Sequence, residues 1–318
     1  MSTIRVAAVQ AEPVWFNVAG TTEKTITLIA QAAAEGAELV AFPETWLPGY
    51  PLFLWGMGVA EQLPLIANYH ANSVEVSGPE MAAIRDAARE HGIGVVLGFS
   101  EKDHGSLYIA QAIIDSSGEL VQLRRKLKPT HVERTLFGEG DGSGLAVVEL
   151  AGATVGALNC WEHMQPLLKF TMYAQHEQIH VASWPAFGEG LPQLSAEASL
   201  ALSRAYALEG GAFVLVSNHV ATQLPGMTGG GVARVYGPDG SVLTEPIPGD
   251  IEGIVYADID LSAISLAKTF ADPVGHYSRP DVFQLTVDRT PRQPAVLSPA
   301  ASPGELVARE ADILLVEN

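Results

Sequence analysis

A single cysteine, Cys160, carries all the thiol chemistry available to this chain of 318 residues. No internal disulfide can form, and a metal cage built from several cysteines is excluded. Charge is scarce as well: 17% of residues are charged against 47% hydrophobic, which excludes wholesale disorder and permits a large core. Positive charge is scarcer still. The 18 Lys and Arg face 36 Asp and Glu, a net charge of -18, which repels nucleic acid and anionic membranes. The most basic run, Arg124-Arg125-Lys126-Leu127-Lys128, is too short to reverse that. No apolar run reaches the length of a membrane span, and Met1 to Arg5 lead straight into a strand-like segment, so cytoplasmic residence is expected.

What is present reads as alternating strands and helices. Ile4 to Gln10 is apolar and β-branched, Thr21 to Glu35 is rich in helix formers and closed by Gly36, and Glu38 to Phe42 is a second strand, a β-α-β opening. Ser77-Gly78-Pro79-Glu80 has capping-box spacing ahead of a helix that ends at Gly92, and Gly94 to Phe99 is the next buried strand. Ala110 to Asp115 and Glu119 to Arg124 flank a hairpin turn at Ser116-Ser117-Gly118. Ala153 to Asn159 forms a strand that runs into Cys160, with a helix expected over Pro166 to Gln178. Ile179 to Trp184, Phe213 to Asn218, Gly231 to Tyr236 and Gly253 to Ile259 supply four more strands, with Pro238-Asp239-Gly240 as the turn between the last two. Sheets covered by helices follow, an α/β architecture. One domain over 1–288 is expected, followed by an extended tail over 289–318 where Pro, Ser and Ala accumulate.

Three reactive side chains stand where apolar strands end. Glu44 follows Leu39 to Pro43, Lys126 closes the hairpin strand, and Cys160 follows Thr154 to Asn159. Strand ends in α/β folds are where ligand sites collect. A thiol with a pKa of about 8.5 needs a neighbouring base before it can attack, and Glu44 is the candidate. A buried lysine beside a carboxylate stays charged and can stabilise developing negative charge, which suits Lys126. Each also has an ordinary reading. Glu44 could cap a loop, Lys126 could be a solvated charge, and Cys160 could be a small core residue.

Pro43-Glu44 with Leu47-Pro48-Gly49-Tyr50-Pro51, the run Arg125 to Arg134, and Asn159-Cys160-Trp161-Glu162-His163 resemble the nitrilases, the nitrile-hydrolysing branch of the carbon-nitrogen hydrolase superfamily. The three ordered motifs span the chain from the first strand to about Asp260. The resemblance implies a four-layer α-β-β-α sandwich. It implies Glu44 as general base, Lys126 as stabiliser of the substrate nitrogen, Cys160 as nucleophile, and Glu133 as a second glutamate that positions Lys126 and substrate. Attack by Cys160 would give a thioimidate and then a thioester, with no metal or organic cofactor. Tyr50, Phe137, Trp161 and the segment Ser183-Trp184-Pro185-Ala186-Phe187 match positions that line or border the nitrilase pocket, although Trp184 and Phe187 could equally be core. The expected partners are an arylacetonitrile or aliphatic nitrile, water, and further copies of the chain in a homodimer that builds larger spirals. The amidases, carbamoylases and cyanide dihydratases of the same superfamily are the alternatives, with a non-catalytic scaffold less favoured. His163, three residues beyond Cys160, and His176 invite a Cys-His comparison, yet the resemblance gives the base role to Glu44.

Overall fold

The computed structural model describes residues 3–186, 192–224, 229–293 and 295. Phe187 and most of the expected tail lie outside the described residues. In chain order the elements are β1 Thr3–Ala11, α1 Val18–Ala34, β2 Leu39–Ala41, α2 Val59–Ala71, α3 Pro79–His91, β3 Gly94–Asp103, β4 Ser106–Ile114, β5 Leu120–Arg125, β6 Val148–Leu150, β7 Ala153–Asn159, α4 Pro166–Tyr173, β8 Ile179–Trp184, α5 Ala196–Gly210, β9 Phe213–His219, β10 Arg234–Tyr236, β11 Gly253–Asp260 and α6 Ser262–Lys268.

The strands form one hydrogen-bonded path in the order β5-β4-β3-β2-β1-β9-β8-β7-β6, with β11 paired to β1 and β10 to β9. The β1–β9 pairing covers only Gln10 with Asn218 and Ala11 with His219. The path therefore folds over itself at one end, and its two halves face each other. Ile4, Val6, Leu39 and Val96 from one half share a cluster with Val155, Val181 and Leu215 from the other. The opposite faces are covered by helices. Val40, Val95 and Leu97 pack on Ile29 of α1 and on Met81 and Ile84 of α3, while Leu158, Trp184 and Val216 pack on Met172 of α4 and Tyr206 of α5. Four layers result, helix-sheet-sheet-helix, as the resemblance implied. Strands buried on both faces need no polar alternation, which is why β1, β8 and β9 read as continuous apolar runs. Each fully buried Val, Leu or Ile among them contributes roughly 1.5–3 kcal/mol.

Several elements differ from the sequence reading. The β3 and β4 strands pair from Val95–Ile114 out to Asp103–Ser106, a longer hairpin than Gly94 to Phe99 implied. The cap of α3 is Gly78, not Ser77, because Pro79 already occupies the first turn. Helix α4 stops at Tyr173, short of Gln178, and the chain then reaches positive φ at His176. The turn at Pro238-Asp239-Gly240 folds Tyr236 back against Val242 and does not lead directly into β11. No helix among the described residues is long and apolar enough to cross a membrane.

Candidate active site

The three strand-end residues meet. A carboxylate oxygen of Glu44, one of Glu133 and the sulfur of Cys160 all lie within 4.8 Å of one another. Lys126 Nζ donates to Glu44 Oε1 at 2.8 Å and to Glu133 Oε2 at 2.8 Å. All four residues are buried. A donor set of two carboxylates and a thiol can hold a metal ion. Here the Lys126 ammonium already bonds both carboxylates and supplies the positive charge a cation would bring.

Each side chain is placed by its local backbone. Glu44 lies just beyond β2, where Phe42 N–H still bonds the carbonyl of Val96. Gly98 on β3 leaves room for that approach, since a Cβ there would collide with the carbonyl of Pro43. Lys126 extends β5, its N–H bonding Ile109 and its carbonyl accepting from Gly140. Glu133 and Glu162 are used alike at the starts of short 3-10 turns. Glu133 Oε2 accepts the Thr130 N–H at 2.7 Å, and Glu162 Oε2 accepts the Asn159 N–H at 2.8 Å. Glu162 Oε1 also takes Arg124 Nη2 at 2.6 Å and the Leu127 N–H at 2.9 Å, so one buried carboxylate ties the lysine strand to the cysteine turn. Arg124 continues through Gln111 to Ser183, whose hydroxyl donates to the carbonyl of Phe42. A polar thread thus crosses the gap between the sheets and fixes three catalytic candidates relative to one another.

Cys160 has φ +48, in the left-handed region, as do Thr45 beside Glu44 (φ +47) and His131 near Glu133 (φ +46). Such backbone is costly for a side-chain-bearing residue and persists where packing over-determines it, commonly at reacting centres.

The electrostatics follow from burial. Desolvation, with a further push from Glu133, raises Glu44 to about 8 against the pull of Lys126. Burial works to lower Lys126, but Glu133 and Glu44 outweigh it and hold the ammonium well above its ordinary range. Burial pushes the Cys160 thiol up, Glu44 adds to the rise, and Lys126 opposes it. Both raising effects favour the thiol of Cys160 over the thiolate.

The expected pocket residues fall into distinct places. Tyr50 touches the cluster, its hydroxyl donating to Glu133 Oε1 at 2.9 Å. Phe137 is buried against Tyr69 in a small aromatic cluster. Trp161 is half-buried and lines a cleft of about 790 Å³ with Leu127, His131, Leu168 and Val287. Trp184 lies in the helix-facing core, its indole N–H donating to Ser203 at 3.1 Å. Pro185 is buried directly after β8. The Arg124–Glu162 pair and the contact of His163 with the Cys160 carbonyl are two features of the site not anticipated from the sequence. Glu162, three residues beyond Asn159, had the capping spacing that could have signalled the first of these. His163 bonds the carbonyl of Cys160, Nδ1 to O 2.6 Å.

Comparison with known proteins agrees with this geometry. The profile of the carbon-nitrogen hydrolase family matches residues 5–269. An aliphatic nitrilase from Rhodococcus rhodochrous is 51% identical over 306 residues, covering 91% of this chain and 83% of that protein. An arylacetonitrilase from Aspergillus kawachii is 48% identical over 305 residues, covering 90% and 92%. A bromoxynil-specific nitrilase from Klebsiella pneumoniae subsp. ozaenae is 47% identical over 327 residues, covering 98% and 92%. The solved carbon-nitrogen hydrolase from Helicobacter pylori G27 superposes with a TM-score of 0.71 at 21% identity, covering 88% of this chain and 97% of that one, which speaks to the fold alone. With the family profile over most of its length and close to half its residues shared with nitrilases from bacteria and fungi, the chain belongs to the carbon-nitrogen hydrolase family, in its nitrilase branch.

Proposed function

We propose that the buried cluster hydrolyses an organic nitrile to its carboxylic acid and ammonia, with Cys160 as nucleophile. The observation that carries this is the donor count around Lys126. An ammonium has three N–H donors, and Glu44 and Glu133 take two. The third remains for the substrate nitrogen. Glu44 Oε2, in turn, has no hydrogen-bond partner among the described residues, so it is free to receive a proton.

The steps then balance. Glu44 takes the thiol proton as the sulfur bonds the nitrile carbon, and the proton passes to the substrate nitrogen, giving a thioimidate. Lys126 stabilises the negative charge that grows on that nitrogen. Water adds with Glu44 as base, the nitrogen is reprotonated, and ammonia leaves a thioester. A second water releases the acid and restores the thiol, one difficult hydrolysis divided into easier stages. A carboxyl raised to about 8 suits a group that must both take and return protons near neutrality. Glu133 holds Lys126 and is itself oriented by Tyr50 and the Thr130 N–H.

Trp161 follows the nucleophile in the chain and lines a cleft whose wall includes its neighbours Leu127, Thr130 and Glu162 but none of the four clustered residues; we assign it to limiting bulk beside the reacting carbon. Trp161→Ala is expected to raise kcat/KM for nitriles with large α-substituents by about tenfold relative to small ones, and unchanged relative rates across a substrate panel would contradict that. The tail over 289–318 is assigned to assembly of copies of the chain. The activity itself is tested by ammonia release from phenylacetonitrile, a short dinitrile and their amides. Turnover of the nitriles is expected; turnover of the amides with every nitrile ignored would overturn the proposal.

A further inference from the structure

Behind the nucleophile lies a second buried cluster that the reaction steps do not use. His163 Nδ1 meets the carbonyl oxygen of Cys160 at 2.6 Å, His163 Nε2 meets His180 Nε2 at 2.9 Å, and His180 Nδ1 meets Glu177 Oε1 at 2.8 Å. The hydroxyl of Tyr206 donates to the other oxygen of Glu177. Each of the four side chains is nine-tenths or more buried. Room for the Glu177 carboxyl comes from Gly156, the partner of His180 across β7 and β8, where any Cβ would overlap Glu177 Oε1.

The direction of these bonds is not free. A carbonyl only accepts, so His163 must carry its proton on Nδ1 and present a bare Nε2 when neutral. His180 must then donate from Nε2, which leaves its Nδ1 as an acceptor. With His180 neutral, as its burial favours, the bond to Glu177 Oε1 forms only if that oxygen carries a proton, and Tyr206 fills the remaining carboxyl oxygen. We infer that Tyr206, Glu177, His180 and His163 form one uncharged, one-directional hydrogen-bond chain that holds the carbonyl of Cys160, with Glu177 in its acid form as the positioning residue that sets the direction. This rests on the nitrilase reading of Cys160 given above. The chain acts on backbone that needs it, because Cys160 sits at φ +48.

The surroundings favour the uncharged form. Burial raises Glu177 to about 8, against the Tyr206 hydroxyl. Burial, with His180 adding to it, lowers His163 to about 3. Burial and then Arg124 hold His180 well below its ordinary range. The other charged or titratable groups facing the cluster are Glu162, which pairs with Arg124, and Lys169, Glu209 and Tyr173, which bond among themselves on α4 and α5. Loss of the Glu177 proton at higher pH would leave Tyr206 donating, reverse the two links beyond Glu177 and break the one to the carbonyl of Cys160. His180 would turn Nδ1–H toward the carboxylate, His163 would have to donate from Nε2, and its bare Nδ1 would face the carbonyl of Cys160.

The test uses the full-length enzyme and glutamine, whose amide can donate to His180 and accept from Tyr206 without titrating. Glu177→Ala is expected to lower kcat about tenfold with KM within about twofold, as for loss of a buried hydrogen bond. Glu177→Gln is expected to restore kcat to within about threefold of the parent and to move the alkaline limb of the kcat profile up by at least about one pH unit. At neutral pH the parent-minus-Glu177→Gln infrared difference spectrum should show the carbonyl band of a protonated carboxylic acid, over any band from Glu44 that both proteins share. Failure of glutamine to restore kcat, an unmoved alkaline limb, or absence of that band would overturn the inference. A parent that turns over no nitrile at all would instead overturn the functional reading, so the two failures are distinguishable.

Discussion

Cys160→Ala is expected to lower kcat/KM for nitriles by at least about 10,000-fold while leaving the melting temperature within about 3 °C of the parent. The size of the loss follows from the absence of any substitute nucleophile: this is the chain's one cysteine, and removing the attacking atom of a covalent mechanism forfeits the whole divided pathway. The small change in stability follows from the site. Alanine keeps the Cβ and loses one buried sulfur, and the carbonyl that His163 holds is backbone, so the structural contacts survive. Steady-state rates together with thermal melts check both halves. A variant that lost its fold along with its activity would mark Cys160 as a structural residue.

Lys126→Met combines a large functional loss with a large structural one. The lysine bonds both Glu44 and Glu133, and all three side chains are out of contact with solvent. Methionine fills similar space but leaves two carboxylates facing each other without a cation. Breaking a buried pair of this kind costs about 3–5 kcal/mol, or roughly 5–8 °C in melting temperature for a domain of this size. Activity should fall about 100- to 1,000-fold or more, the effect of removing one preorganised donor from a developing charge. The pH dependence has a definite sign. Without the ammonium, burial raises Glu44 further above its unfolded value, so the variant is least impaired at low pH and loses stability as pH rises through the folded value. In the parent Glu44 is already raised to about 8, so both proteins lose its contribution alike below that value and the gap between them should widen above about pH 8. Adding Glu133→Gln should recover much of the stability and none of the activity. A constant gap, or recovered turnover in the double variant, would contradict the assignment.

Much of the site was legible because its members terminate apolar runs. Glu44, Lys126 and Cys160 are each conspicuous after a stretch of buried residues, and the resemblance supplied Glu133. Convergence was not legible, since it depends on the path folding over at Gln10 and Ala11, where β1 meets β9. The four layers likewise came from the resemblance. Strands buried on both faces carry no alternation to say which residues meet the other sheet and which meet the helices. Helix α5 went unread because its buried face, Ser199, Ser203, Tyr206, Ala207 and Gly210, is mostly small or polar and so carries no apolar periodicity. The spacing of His163 suggested reach toward the sulfur, and it is the positive φ of Cys160 that accompanies contact with the carbonyl. Glu177 and His180 gave no signal, because a buried acid and a buried histidine in and beside an apolar strand look like ordinary exceptions until their partners are seen.

Mass spectrometry of the enzyme trapped with a slowly hydrolysed nitrile detects covalent attack by Cys160 itself. One adduct per chain is expected, localised by peptide mapping to Cys160 and absent from Cys160→Ala. Turnover of the nitrile with Cys160 unmodified at every time point, or an adduct that persists in Cys160→Ala, would contradict that attack.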